Sequence, residues 1–311
     1  MEKETPKILK NFLNYLIIDK NYSIETAKTY SVNLILFFKF IIQYLNLDIK
    51  LKDINIFILA SIKESDIISY LVYLNYIKNN SPATRNRNLA AIKSFFKYLY
   101  IYYPSLKNKL NPAKNIKAAE PIIRMPKYLK LEDAQRLQHI FNETNSKNAL
   151  RDNAIIILFL NCGLRLSELI NINIKDINFS ERTINIIGKT NKERIIYLNS
   201  AVIKSINEYL ANKKLNDSDP LFKSNREKRM SKKNVEEICK RAFKLAGLEE
   251  YGYTVHSLRH TAATYLYKEV KDILIIKNFL GHNSIQATEI YTHINNDEIK
   301  KAVDSNPLNK L

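Results

Sequence analysis

The chain has 311 residues, of which 46% are hydrophobic and 26% charged, as in a soluble protein large enough for two compact domains. Its longest apolar stretches, such as residues 154–160, are too short to cross a bilayer, and the first residues lack the hydrophobic segment of a secretion signal. The two cysteines, Cys162 and Cys239, lack metal-ligand spacing, which argues against a disulfide framework or a zinc site. We therefore expect a cytoplasmic protein without a membrane segment.

The net charge of +18 is the first indication of a partner. Residues 1–118 carry 18 basic and 8 acidic side chains, and residues 119–311 carry 31 and 23, so both parts are basic. A field of this sign favours polyanions such as nucleic acids. The alternative is a general bias of the sequence towards Lys, Ile and Asn, which would raise the charge without any function.

The N-terminal part predicts helices. Residues 7–16 and 23–41 have a helical apolar period, and a third helix is predicted over Glu64–Tyr76. A fourth begins with Ser81 as N-cap and Pro82 at the first helical position. These patterns predict a helical domain over residues 1–110.

Prolines and basic residues interrupt the pattern in residues 111–128, which predicts a basic linker between two domains. The following domain, residues 129–311, is predicted to be mixed. Helices are expected over residues 151–160, near Leu164, from Ala201, from Ser231 and after Tyr253. Two short strands are expected over Thr183–Ile187 and 194–198.

Two short segments of this domain carry candidate functional residues. Arg165 and Glu168 are three positions apart, which predicts a shared helix face, although such a pair is more often a surface ion pair. Lys189 lies in the predicted turn between the strands, near Lys192 and Arg194. The three could reach a phosphate, or Lys189 could be an ordinary solvated turn lysine.

Two further segments follow. His256 and Arg259 are predicted to share a helix face, and four of the five histidines lie between residues 256 and 293. Gly281 suits the end of a helix over residues 271–280, His282 follows it, and Asn283 or Ser284 would cap a helix carrying Tyr291. Taken alone, Tyr291 could equally be an aromatic core residue.

In residue type and order, these segments resemble the signature of the tyrosine recombinases of the phage integrase family, most closely the Xer type. The resemblance covers almost the whole chain. Two small departures, Cys162 before Gly163 and Ala287, remove no catalytic group. The residues that carry the resemblance are Arg165, Glu168, Lys189, His256, Arg259, His282 and Tyr291.

The resemblance implies a mainly helical fold with a small antiparallel β-sheet. A helical N-terminal core-binding domain and a mixed α+β catalytic domain would close as a C-shaped clamp around duplex DNA. The implied partners are double-stranded DNA, three further subunits in a homo- or hetero-tetramer, and a DNA translocase as activator. A helix over residues 297–303 would dock on a neighbouring subunit or fold back on its own domain.

The implied reaction is cleavage and rejoining of DNA through a 3′-phosphotyrosine formed by Tyr291. Arg165 and Arg259 would bind the phosphate with help from His282, since guanidinium forks match phosphate oxygens. Lys189 would protonate the leaving 5′ oxygen, and His256 and Glu168 would handle the tyrosine proton in a division left open. The sequence has no acidic cluster for a metal, so a reaction without metal, cofactor or ATP is expected.

In the N-terminal half, residues 23–40 and 81–99 resemble the two helices of the family that face DNA, with much less specific matches. Three alternatives remain: a type IB topoisomerase-like enzyme that relaxes DNA, a non-catalytic DNA-binding protein, and a basic helical scaffold. The expected DNA contacts are Thr26, Lys28, Tyr30, Arg85, Arg87, Lys93 and, in the second half, Lys192.

Overall fold

A computed structural model of the chain describes residues 4–106, 109–120, 126–142, 144–188, 193–211, 213, 216–281, 284, 288 and 291. The chain divides into two compact units, Met1–Arg124 and Met125–Leu311. The division falls inside the segment 111–128 that the sequence predicts as a linker; the domain limits themselves stay a prediction. Within the described ranges, no helix has the length and apolar character needed to cross a bilayer.

Five α-helices form most of the described part of the N-terminal unit. Ser81 Oγ accepts a hydrogen bond from Thr84 N at 3.3 Å and Pro82 opens the last helix, which confirms the predicted helix start. The sequence did not predict the short helix Ile56–Ser61, which precedes the predicted helix over Glu64–Tyr76. The helices are α1 Lys7–Ile18, α2 Ile24–Tyr44, α3 Ile56–Ser61, α4 Glu64–Tyr76 and α5 Pro82–Tyr102.

Phenylalanines of α1, α2 and α5 form the core of this unit. Phe95 lies edge-on to Phe12 and Phe38, with ring centroids 5.2 and 5.4 Å apart. Ala113 and Ile116 of the predicted linker are buried against the same core. The first part of that segment therefore packs on the N-terminal unit.

The C-terminal unit contains seven described α-helices and a three-stranded antiparallel sheet in the order β1-β2-β3. The predicted fold class, mainly helical with a small antiparallel sheet, is confirmed. The two-residue strand β1 was not predicted. The elements are α6 Leu131–Leu137, α7 Ala149–Cys162, α8 Leu166–Asn171, β1 Ile177–Asn178, β2 Thr183–Ile187, β3 Glu193–Tyr197, α9 Ser200–Leu210, α10 Lys232–Leu245, α11 Val255–Val270 and α12 Ile273–Leu280.

Two left-handed glycines end the helices that lead to the candidate site. Gly163 follows α7 with φ +56°, and Gly281 follows α12 with φ +61°. A Cβ at Gly163 would lie 2.8 Å from a ring carbon of Phe279, next to the end of α12. The ends of α7 and α12 therefore approach each other closely, and this approach brings together segments that are distant in sequence.

Candidate active site

Arg165 lies at the start of α8 as its N-cap, and its side chain lies on the same side as that of Glu168 in the first turn. The predicted helix near Leu164 begins at Leu166. The backbone N–H of Arg165 donates to Glu168 Oε2 at 2.7 Å, and its Nη1 donates to Glu168 Oε1 at 2.7 Å. Its Nη2 donates to the carbonyl oxygen of Gly281 at 3.2 Å. The Glu168 carboxylate therefore fixes both the backbone and the side chain of Arg165.

Glu168 is the centre of a buried charge cluster. Its side chain is only 5% exposed, and Arg194 Nη2 donates to its Oε2 at 2.9 Å. Arg259 Nη1 lies 3.8 Å from the same oxygen. With Arg165, three guanidiniums thus surround one carboxylate, which leaves this group of four residues with excess positive charge. Such an excess suits an anionic ligand.

Arg259 is hydrogen-bonded to the backbone at the ends of α7 and α12. It is 5% exposed on α11, its Nη1 donates to the carbonyl oxygen of Gly163, and its Nη2 donates to that of Leu280 at 2.7 Å. Burial, followed by the neighbouring Arg165, lowers the pKa of Arg259 to about 10. The guanidinium therefore stays protonated at neutral pH and joins the ends of α7 and α12.

Tyr291 is fully buried, at 0% exposure, and packs with Ala263, Ile276 and Leu280. Its hydroxyl oxygen shares a hydrogen bond of 2.7 Å with His260 Nδ1. Burial raises the pKa of Tyr291 to about 12, and the positive charge of Arg259 acts in the opposite direction. In this structure the phenol is therefore protonated and closed to solvent.

His260 is a site residue that the sequence interpretation did not select. Burial, followed by His256 and Arg259, lowers the pKa of His260 to about 4, so its ring is neutral at physiological pH. Consecutive residues of a helix point about 100° apart. For this reason Arg259 can contact the charge cluster while His260 contacts the tyrosine. The signals in the sequence were the position of His260 beside Arg259 and its place among the four histidines between residues 256 and 293.

The structure brings Arg165, Glu168 and Arg259 together, as the resemblance implies. His256 lies exposed in the first turn of α11, and the roles of His256 and Glu168 in handling the tyrosine proton stay a prediction. The sequence predicts Arg194 at the start of a strand, beside the hairpin tip and within reach of a phosphate; its guanidinium instead points inward to Glu168. Several predicted features fall outside the described residues: Lys189, Lys192, His282, Ala287 and the helix over residues 297–303.

The predicted DNA contacts of the N-terminal unit are untested and stay predictions. Lys28 and Arg87 are exposed, whereas Thr26, Tyr30 and Lys93 are partly buried. Thr26 lies in the first turn of α2, where its hydroxyl and that of Ser23 are 2.9 Å apart. Arg85 donates to the Asn75 side chain and, at 3.4 Å, to the carbonyl oxygen of Asn80, so it also stabilises its own unit.

Replacing Glu168 by Gln is expected to lower the free energy of unfolding by about 3 kcal/mol, because an amide cannot offset the guanidiniums around it. Urea unfolding of the full chain measures the change. Glu237→Gln is the matched control, since Glu237 forms an exposed ion pair of 3.2 Å with Lys240 and its loss should change stability by less than about 0.5 kcal/mol. Equal stability of the two variants would contradict the central position of Glu168.

Both units of the chain match models of known protein families. Residues 127–298 match the model of the Phage integrase family, and residues 9–101 match that of the phage integrase N-terminal SAM-like domain. The chain therefore belongs to the phage integrase family.

Its relatives are tyrosine recombinases of the Xer type. The chain is 39% identical to tyrosine recombinase XerC of Caldanaerobacter subterraneus subsp. tengcongensis, an alignment that covers 98% of this chain and 88% of the relative. It is 33% identical to XerC of Thermodesulfovibrio yellowstonii, with 97% of each chain covered. The predicted resemblance to Xer-type recombinases is confirmed, and the chain is an enzyme of site-specific recombination.

Among solved structures, the fold is similar to that of the XerH site-specific recombinase bound to palindromic difH substrate in a post-cleavage complex. The TM-score is 0.73, the identity is 23%, and the match covers 96% of this chain and 83% of the other. At this identity the similarity concerns the fold, and it supports the helical organisation of both units.

Proposed function

We propose that this recombinase cuts and rejoins double-stranded DNA with Tyr291 as nucleophile, and that Arg165 and Arg259 bind the phosphate under attack. The observation that carries the proposal is the cluster of guanidiniums around Glu168. Its buried member Arg259 lies on α11, and the next residue of that helix, His260, is hydrogen-bonded to the Tyr291 hydroxyl. Planar guanidiniums bind the non-bridging oxygens of a phosphate and stay charged during the reaction.

Each cleavage would proceed by transesterification. The Tyr291 oxygen attacks phosphorus and loses its proton, the bond from phosphorus to the 5′ oxygen breaks, and that oxygen takes a proton from Lys189. His256 or Glu168 would receive or direct the phenol proton, and His282 would donate a further hydrogen bond to the phosphate. The resulting 3′-phosphotyrosine is then attacked by the 5′ hydroxyl of a second duplex, which restores a phosphodiester without ATP.

The two arginines would have different parts in binding the phosphate. The Arg165 side chain is 36% exposed, so it can meet a ligand from solvent while Glu168 fixes its direction. Arg259 is buried and tied to the carbonyl oxygens of Gly163 and Leu280. Since neither needs to be ordered by the substrate, the site is partly preorganised for negative charge.

Tyr291 must leave its buried position before it can attack. Its hydroxyl is bonded to His260 and has no exposed surface, so a phosphate cannot reach it in this structure. A ligand shifts such an equilibrium by binding one state better than the other. We propose that DNA supplies this difference and that the nucleophile is withheld in its absence.

The N-terminal domain, residues 1–110, would bind the recombination core site, with Thr26, Lys28, Tyr30, Arg85, Arg87 and Lys93 towards DNA. Residues 111–128 would link it to the catalytic domain, residues 129–311. Recombination between two duplexes requires four cuts, so the working assembly would be a tetramer on DNA, of this chain alone or with a second recombinase. We place this reaction in the cytoplasm.

The experiment begins with genomic fragments selected by binding to the full chain. A selected site with a nick near the cleavage point lets the cut strand diffuse away and traps the covalent complex, which a denaturing gel detects. The proposal predicts an adduct on the selected site and strand exchange between two such sites. Binding without an adduct would favour a non-catalytic DNA-binding protein, and relaxation of plasmids without exchange would favour a topoisomerase-like enzyme.

A further inference from the structure

Arg194 connects three segments of the candidate site. It is the second residue of β3, directly after the β2–β3 connection that contains Lys189, and it pairs with Ile186 of β2. Its Nη2 donates to Glu168 Oε2 at 2.9 Å, and its Nη1 donates to the carbonyl oxygen of Phe279 in α12 at 3.2 Å. One side chain therefore ties the hairpin both to the start of α8 and to the end of α12.

Gly281 packs directly against this side chain. A Cβ built on Gly281 would lie 2.9 Å from Arg194 Cδ and closer still to Nη1. The backbone at Gly281 also accepts a hydrogen bond from Arg165 Nη2 at 3.2 Å. The position of Arg194 is thus coupled to that of Arg165 through both Glu168 and the turn after α12.

The environment of Arg194 fits a positioning role better than direct contact with DNA. Its side chain is only 15% exposed, and both terminal nitrogens have protein acceptors. Its Nε is buried and has no partner within the part of the chain that the structure describes. Exposure alone does not separate the two roles, since Arg259 is 5% exposed. Arg194 differs in lying on β3, whose connection to β2 contains Lys189.

We propose that Arg194 is a positioning residue that fixes the β2–β3 hairpin, and with it Lys189, relative to Arg165 and Arg259. The inference rests on the proposed function, in which Lys189 protonates the leaving oxygen. Lys189 is six residues before the centre of β3, so the anchoring of that strand sets where the connection that contains Lys189 ends. Loss of the anchor should therefore impair protonation of the leaving group rather than binding of the phosphate.

A substrate whose leaving 5′ oxygen is replaced by sulfur tests this directly. A thiol is far more acidic than an alcohol, so sulfur leaves as the thiolate while Tyr291 forms its bond to phosphorus, and no proton from Lys189 is needed. Arg194→Gln is expected to cleave the oxygen substrate about 100-fold more slowly than wild type, since general acid catalysis contributes at least that much. On the sulfur substrate its rate should return to within about tenfold of wild type, since the step that needs the proton is bypassed.

Two further variants make the result specific. Arg194→Lys guards against misfolding of the Gln variant and should show the same pattern with a smaller loss. Arg182→Gln, at an exposed arginine between β1 and β2 of the same sheet, is the control and should cleave both substrates like wild type.

Lys189→Ala separates failure of the inference from failure of the proposed function. If the sulfur substrate restores the cleavage rate of Lys189→Ala but not that of the Arg194 variants, Arg194 does not position the general acid and the inference is overturned. If the sulfur substrate does not restore the cleavage rate of Lys189→Ala, the assigned role of Lys189 is wrong, and the inference about Arg194 is then wrong as well. Equal losses of the Arg194 variants on both substrates, with wild-type thermal stability, would likewise contradict the positioning role.

Discussion

The Tyr291→Phe variant is expected to bind its DNA site as wild type does and to form no covalent adduct. Phenylalanine fills the same buried space beside Ala263, Ile276 and Leu280 but has no oxygen to attack phosphorus. Loss of a nucleophile typically reduces the rate by about 10⁴-fold or more. The lost hydrogen bond to His260 should cost only about 1 kcal/mol of stability, so the variant should remain folded.

Tyr267→Phe is the matched control. Tyr267 is a partly buried tyrosine that packs on the same hydrophobic cluster, so its loss should leave adduct formation at the wild-type level. Binding is measured by gel shift and the adduct by denaturing gel on the same nicked substrate. Adduct formation by Tyr291→Phe at the wild-type rate would show that Tyr291 is not the nucleophile.

The Arg259→Lys variant is expected to lose about 100-fold in the rate of strand cleavage, which is typical of removing one donor that stabilises a developing negative charge. Lysine keeps the positive charge but cannot replace the two terminal nitrogens, which donate to Gly163 and Leu280. The ends of α7 and α12 would then lose the hydrogen bonds that Arg259 donates to both of them. The phosphate would lose two donors that lie in one plane. Single-turnover cleavage at saturating protein measures the loss apart from DNA binding.

Arg136→Lys serves as the comparison. Arg136 also donates to a backbone carbonyl, that of Ala246, but its side chain is 54% exposed and pairs with Asp133. Its substitution should leave the cleavage rate within threefold of wild type, as is usual for exposed positions. If Arg259→Lys cleaved as fast as Arg136→Lys, the assignment of Arg259 to the phosphate would be untenable.

Much of the fold could be predicted because local signals agreed with the tertiary structure. The predicted helix over Glu64–Tyr76 coincides with α4, and the Ser81–Pro82 pair marks the first turn of α5. The short elements were missed for a physical reason. The six residues of α3 and the two of β1 are too few for a periodic pattern, so contacts elsewhere in the chain decide their conformation.

The residues that complete the site were harder to predict than those of the signature. Alternation in β3 places Arg194 on the same side as the buried Ile196, while Ile195 and Tyr197 are exposed. Sequence alone favours the opposite arrangement, because a guanidinium is costly to bury without a partner. The partner is Glu168, which lies 26 positions away, and only the folded chain reveals the pair.

The buried position of Tyr291 could not be predicted from the sequence either. The signature identifies the residue, but the sequence does not indicate that its hydroxyl is buried against His260. His260 is adjacent in sequence to Arg259, and the resemblance gives it no role. The helix geometry of α11 turns it towards a different partner.

The most direct test of the central claim is to locate the covalent link between protein and DNA. The adduct formed by the wild-type chain on a nicked site is digested with a protease and a nuclease, and the nucleotide-bearing peptide is sequenced by mass spectrometry. We predict a 3′-phosphate ester on the oxygen of Tyr291. A nucleotide attached to any other residue would contradict the assignment of Tyr291 as the nucleophile.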